Sequence, residues 1–587
     1  MKRCPECRRD YTDETLSFCL DDGTPLLDGP ATMDEPATAI LSEPGAIATG
    51  FLAAESATKA QINTTDQTLI LPSGSVLSGQ PTSHSEHLGG EMRNNKRTAA
   101  VGLAVFLVAT LGLGYWFFNM RSAASEPNPV SSIAVLPFQN KGGDADTDYL
   151  SDGIAESLIY RLSQLPNLKV SPTSSVIRYK GRESDVGQIA KELEVDAVMS
   201  GRIVQRGENL MVSVELVDAR TKKLIWGEQY DRKMSDLLTT QREIAAAITQ
   251  KLQLKLAGSD TKGITKKYTD NSEAYQLWLK GRFYFARRTK DDMFKGIELY
   301  NQAIKLDPNF ALAYVGIAES YSTIPSYPYA SPHECVPQAK AAVAKALELD
   351  PDLPEAHTVA GMIAATHDWD YPLAEREFKR SLELDPNLAI THYRYAWVYL
   401  SPLGRHDEAV AEMKRAMELE PLAIQQGANY AAVLMYARRF DEALEQAKKT
   451  NELDPTHIGG LAWLAHTYNA KGMYKESLAV SEKALNLASY QGRAQQGISY
   501  AIGGQREDAM RIVNDWKQAE KAGYVMVYWL AATYAQLGDK DAAFAELEKS
   551  YQQRDWFLQR LKTDPFMEPF RDDPRYKEML KRLNLPD

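Results

Sequence analysis

A chain of 587 residues, 44% hydrophobic and 25% charged, has the length of about four domains and enough apolar content to bury cores in most of them, which excludes a wholly disordered protein. Sixty-seven Lys and Arg stand against 78 Asp and Glu, and the net charge of −11 argues against a protein that coats nucleic-acid phosphate. Four cysteines in the whole chain exclude a disulfide scaffold.

In chain order, the first element is a thiol-rich head. Cys4 and Cys7 form CPEC, Cys19 stands in FCLDDG, and eleven residues lie between Cys7 and Cys19, a metal-ligand spacing. Residues 1–28 resemble a zinc ribbon. The resemblance implies a structural Zn2+ held by the thiolates of Cys4, Cys7 and Cys19, with Asp22 where the usual second knuckle has a fourth Cys before Gly23. Zinc accepts carboxylate oxygen, and so short a piece with so few apolar groups needs the metal to fold. Lys2, Arg3, Arg8 and Arg9 give the head local positive charge, diluted by Asp10, Asp13, Glu14, Asp21 and Asp22, so nucleic-acid binding is the secondary expectation.

Residues 29–92 change to Ala, Thr, Ser, Pro and Gly, with one aromatic, Phe51. Such a stretch cannot offset its ordering entropy and reads as a disordered acidic linker. Between Arg97 and Arg121 there is no charge, and Thr98–Phe118 is nearly all apolar. Its length of about 31 Å as a helix matches the hydrocarbon thickness and predicts one transmembrane helix over 98–118. Arg93, Lys96 and Arg97 precede the span, and Tyr115, Trp116, Phe117 and Phe118 anchor its far end. The positive-inside bias then predicts a single-pass protein of the cytoplasmic (inner) membrane, with a cytoplasmic N-terminus and an extracytoplasmic or periplasmic body.

Residues 129–258 alternate strand and helix. SSIAVLPF reads as a buried strand, and Ile154, Leu158, Ile159 and Leu162 mark a helix over 149–165. Leu168–Lys180 reads as irregular, and Asp185–Leu193 as a second helix. Strands over 197–204, 209–217 and 224–230 follow, then a closing helix over 235–256, giving one mixed sheet with helices on it. The runs SIAVLPFQNKGGDADTDYLSDGIAESLIYRLSQ, SVIRYKG and LIWGEQYDRK resemble the TolB-like N-terminal domain of bacterial multidomain signalling proteins. That resemblance implies a scaffold or sensory role without assigned catalytic residues.

Beyond Asn271 the chain repeats. Leu-Asp/Glu-Pro closes successive units at Pro308, Pro351, Pro386, Pro421 and Pro455, at intervals of 43, 35, 35 and 34 residues. The first interval predicts nine extra residues, around Thr323–His333, looping out inertly from the second unit. Small residues such as Ala396, Ala409, Ala416, Ala465, Ser477 and Ala484 recur where two helices must touch, and Leu461, Leu464, Tyr468 and Tyr474 fill between them. Residues 271–556 resemble tetratricopeptide repeats, about eight of them, which implies an all-α superhelical solenoid with a concave groove. The resemblance implies protein or peptide partners along the first helix of each repeat, where Met362, Tyr393, Trp397, Met435, Tyr436 and His466 fall. The Lys and Asn set that grips a chain-end carboxylate is missing, which favours an apolar or extended partner. Residues 557–587 read as a C-terminal helical cap, similar to a tail of those signalling proteins.

No phosphate loop, H-E-x-x-H, G-x-S-x-G or kinase motif occurs, and Cys335 beside His333 reads as an incidental thiol. The sequence therefore predicts a multidomain, non-catalytic, membrane-anchored interaction scaffold with no small-molecule substrate. The alternative is a one-component transmembrane signalling or transcriptional regulator whose ribbon contacts nucleic acid or a polymerase.

Overall fold

The computed structural model describes residues 2–3, 10–11, 27–28, 130–142, 148–163, 165, 168–181, 185–252, 268–487 and 490–586. At the N-terminus Lys2–Arg3 (β1), Asp10–Tyr11 (β2) and Leu27–Asp28 (β3) form an antiparallel sheet in the order β2-β1-β3. Cys4, Cys7, Cys19 and Asp22, the linker of 29–92 and the span expected over 98–118 lie outside the described residues.

The next unit holds one mixed sheet. Its strands are Ser132–Val135 (β4), Gln139–Asn140 (β5), Lys169–Ser171 (β6), Ala197–Arg206 (β7), Asn209–Asp218 (β8) and Lys223–Lys233 (β9). The order is β6-β4-β7-β8-β9; β4 runs parallel to both neighbours, β5 adds to β7, and the pairs β7–β8 and β8–β9 are antiparallel. Strand β4 is buried along its whole length, as a parallel strand inside a sheet must be, whereas β8 alternates buried and outward residues and leaves one face to solvent. Its longer helices are Asp148–Ser163 (α1), Val186–Leu193 (α2) and Leu237–Lys251 (α3), and the segment expected to be irregular holds β6 and two short helical turns, Thr173–Val176 and Ile177–Tyr179. Asp196 pins the first strand: one carboxylate oxygen accepts from the backbone N–H and the hydroxyl of both Ser131 and Ser132, at 2.9–3.2 Å.

Eight helix pairs follow. They are Ser272–Ala286 (α4) with Lys290–Leu306 (α5), Ala311–Thr323 (α6) with Pro332–Leu349 (α7), Pro354–Ile363 (α8) with Tyr371–Leu384 (α9), and Ala389–Arg394 (α10) with His406–Leu419 (α11). Ile424–Tyr436 (α12) with Phe440–Leu453 (α13), Ile458–Ala470 (α14) with Tyr474–Asn486 (α15), Tyr490–Ile502 (α16) with Arg506–Ala522 (α17), and Tyr528–Gln536 (α18) with Lys540–Gln552 (α19) complete the array. Helices α8 and α10 run on into π turns, Ala364–Asp368 and Tyr395–Leu400. Side-chain size sets the spacing. The second helices place Ala303, Ala346, Ser381, Ala416 and Ala484, all fully buried, and their rings of Tyr300 and Phe378 lie against Gly281, Gly316 and Gly361 of the first helices.

Two connections depart from a plain array. Helix α1 of the sheet unit packs on α4, with Gly153 facing Leu279, Tyr268 donating to the Tyr160 hydroxyl at 3.1 Å, and Glu156 paired with Arg282. One hydrophobic cluster accordingly runs without a break from Val130 to Ile363. The segment expected to loop out inertly instead packs: Ile324 is fully buried with Phe285, Met293 and Ile297, and Tyr329 donates to the Arg288 carbonyl at 3.0 Å. Its aromatic and branched side chains need cover, which the spacing arithmetic did not register.

The membrane placement is corrected. Among the described residues no helix is long and apolar enough to cross a bilayer. The longest, α7 with 18 residues, carries Glu334, Lys340, Lys345 and Glu348, charges that a hydrocarbon core does not accept. The inner-membrane assignment with a periplasmic body does not stand on this fold.

Candidate functional site

The first helices of the third to sixth pairs carry all six side chains expected to line a partner groove. Met362 lies on α8, Tyr393 on α10, Trp397 in the π turn after it, Met435 and Tyr436 on α12, and His466 on α14. The fold brings Trp397, Tyr436 and His466 together, ring by ring, and these three are covered. Trp397 is 3% exposed, and Met435, Tyr436 and His466 are fully buried. Tyr393 is half-buried, and its hydroxyl accepts from Asn429 Nδ2 at 2.7 Å.

The cover is the chain's own segment after α19. Residues 555–570 form two short 3-10 turns, Leu558–Arg560 and Pro565–Phe570, joined by an irregular bend. The Arg560 guanidinium lies 3.3 Å from the centre of the Trp397 ring, and its Nη2 donates to the Trp397 carbonyl at 2.8 Å. Trp556 also approaches Trp397, Phe557 meets Trp463 and Trp529, and Phe566 stands edge-on to His466 with 4.7 Å between ring centres. Two Asp-x-Phe turns hold the segment. Asp555 accepts from the Phe557 N–H and Asp564 from the Phe566 N–H, while the remaining oxygens accept from the backbone N–H and the hydroxyl of Tyr528 at 3.0 and 2.7 Å.

Burial dominates the electrostatics. It brings the Arg560 guanidinium down to about 10, still cationic at neutral pH, and pushes the Asp555 carboxyl up to about 6 against the pull of its N–H donors. Burial also lowers His466. An aromatic trough of this kind is suited to hold a cation flanked by rings. Sequence reasoning missed Trp463, Trp529 and Arg560; the only signal available was the density of aromatics in DWFLQRLKTDPFMEPF.

Elsewhere, burial pushes the Cys335 thiol up to about 12, opposite to what a nucleophile needs. Among the described residues no group of three or more His, Cys, Asp or Glu could hold a metal.

Comparison with known proteins gives this geometry a context. Residues 130–247 match the second domain of HilA/YgeH-like transcriptional regulators, where a TolB-like domain was expected, and residues 389–421 and 525–554 match tetratricopeptide repeats. The helical part is thus a tetratricopeptide-type solenoid, a class that serves as a protein-interaction scaffold. Putative adenylate cyclase 3 of Rhizobium meliloti (strain 1021) is 29% identical over 275 residues, 45% of this chain and 46% of that protein. The transcriptional regulator HilA of Salmonella typhimurium is 24% identical over 282 residues, 47% of this chain and 49% of that protein. Yeast Tom70 aligns with 74% of this chain and 85% of its own at 16% identity and a TM-score of 0.34. The chain spans about half the length of the curated relatives it matches. The expectation of a chain without catalysis is corrected by the first of them, because a protein described as a putative cyclase aligns with 45% of this chain at 29% identity.

Proposed function

We propose that the sheet unit and the solenoid together form a receiver, which takes a protein or peptide partner and passes that binding to an output. The observation that carries this reading is the unbroken core between the unit matching a regulator domain and the first three repeats. A partner seated on the repeats would act on the sheet unit through packed side chains, not through a flexible tether. The two relatives, described as a cyclase and as a transcriptional regulator, each align with nearly half of this chain, and a common receiver feeding different outputs would account for that.

For the N-terminal head we propose a structural zinc held by Cys4, Cys7, Cys19 and Asp22. The chemistry of that donor set fits the metal. The likeness to a transcriptional regulator supports a second reading, in which this head contacts nucleic acid or a polymerase.

Crosslinking mass spectrometry of the full chain in a lysate of its host separates the two. Crosslinks to a recurring protein from residues 271–556 support the receiver. Crosslinks to polymerase confined to residues 1–28, with a DNA shift that weakens steeply with salt, favour the second reading.

A further inference from the structure

We propose that residues 555–570 are an intramolecular ligand of the solenoid groove, and that the partner this groove fits is a segment of the same chemistry: two Asp-x-Phe turns flanking an arginine. The proposal deepens the receiver reading and rests on it for the existence of a partner, but its first observations concern this chain alone.

The segment binds as peptides bind. It forms no helix of its own longer than six residues and docks through side chains into a trough built by others. Each Asp-x-Phe turn is closed by its own carboxylate, which frees the Phe ring to enter the trough, Phe557 against Trp463 and Trp529, Phe566 against His466. Tyr528 reads both turns at once, with its N–H on Asp555 and its hydroxyl on Asp564. Arg560, between the turns, stacks on Trp397 and faces the Tyr436 ring at 5.1 Å.

The fit leaves polar groups unpaired. Arg560 Nε and Nη1, Gln559 Oε1, Tyr436 Oη and His466 Nε2 are buried without a hydrogen-bond partner. Unpaired polar atoms occur elsewhere in the repeats too, Tyr371 Oη, Ser481 Oγ and Ser550 Oγ among them, but here five belong to one segment and the side chains beneath it. Buried polar groups left unpaired weaken an interface relative to a ligand that satisfies them. The joint to the last repeat is short: between the end of α19 at Gln552 and Asp555 stand two residues, of which Arg554 is in the left-handed region at φ 54°. Arg554 itself lies 4.0 Å from the centre of the Trp369 ring and donates to the His367 carbonyl at 3.0 Å, so the joint is where the segment is anchored to the third pair.

Two measurements on the full chain test the proposal. In native hydrogen exchange of the wild type, amides of 555–570 exchange at least tenfold faster than those of α12 and α14 beneath them; equal rates mean that the segment opens only when the solenoid unfolds, and overturn the proposal. In the second, a fluorescent peptide of residues 555–570 is titrated against wild type and Arg560→Ala. The variant, its own segment loosened, takes up the peptide at least tenfold more tightly than wild type, and a peptide with Ala at its own arginine position loses that gain. A folded variant that takes up no peptide, or equal uptake by both chains, overturns it. If Arg560→Ala does not fold, Arg560→Lys takes its place and the exchange result decides. Neither measurement involves an outside partner, so the receiver reading fails or stands separately.

Discussion

Arg560 shows what a single residue can hold together. Its guanidinium is fully buried and has no carboxylate ion pair among the described residues, yet the face of Trp397 and one backbone carbonyl receive it. A desolvated cation on an indole face gains about 2 kcal/mol, which offsets only part of the cost of removing the charge from water. A second, partly buried group answers to pH. Burial brings His367 down to about 4, with Arg554 and Lys340 adding to the effect and Asp368 opposing it. Because the unfolded chain takes up the proton first, near pH 6.5, this histidine contributes stability at neutral pH that is lost as pH falls from about 6.5 toward 4. Denaturant melts of wild type and His367→Gln at pH 7 and 4.5 check the sign: the drop between the two pH values is smaller in the variant, and an equal drop assigns the acid sensitivity to carboxylates elsewhere.

At the scale of the element, each helix pair depends on a small residue meeting a large one. Tyr300 of α5 is 1% exposed and lies against Gly281 of α4 and Gly316 of α6, so one ring joins three helices. A Cβ at Gly281 would stand 2.5 Å from the Tyr300 ring, with Gly316 closing the other side. Gly281→Ala therefore costs about 1–3 kcal/mol of overpacking, against about 1 kcal/mol gained in helix propensity. Net destabilisation in urea is expected, and a net gain would mean that the ring has room to shift. This small-against-large logic is what made the solenoid legible: prolines at intervals of 34 and 35 residues fix the period, and Ala396, Ala409 and Ala416 fall in phase with it. The same reasoning placed Trp397 and Tyr436 on the inner face. It could not supply their cover, because Arg560 and Trp397 are 163 positions apart and nothing periodic relates them. Side-chain chemistry in a non-repeating tail meets the groove only once the array is wound. The packed insertion at Ile324 escaped for the same reason, since counting residues between prolines measures length and not what those residues touch.

Taken whole, residues 130–586 are tied across long sequence distances rather than strung as beads. His333 Nε2 lies 2.8 Å from the Gln552 carbonyl, Trp369 stacks on Tyr551, and Asn584 donates to the Trp369 carbonyl, so the last pair is fastened to the second and third. At the other end, Leu279 of α4 fills the space opposite Gly153 of α1 and belongs to the same cluster as Ile133 and Val198 of the sheet. Repeat arrays ordinarily lose stability locally, repeat by repeat; a shared core should instead make the sheet unit and the first repeats open together. Leu279→Ala removes a buried side chain at their contact and is expected to cost about 2–5 kcal/mol. Hydrogen exchange then distinguishes the cases: amides of β4, β7 and α4 lose protection in parallel if the core is one cooperative body. If the strands keep their wild-type protection while α4 alone loses it, a partner on the repeats has no packed route to the sheet unit, and the receiver would have to signal by some other means.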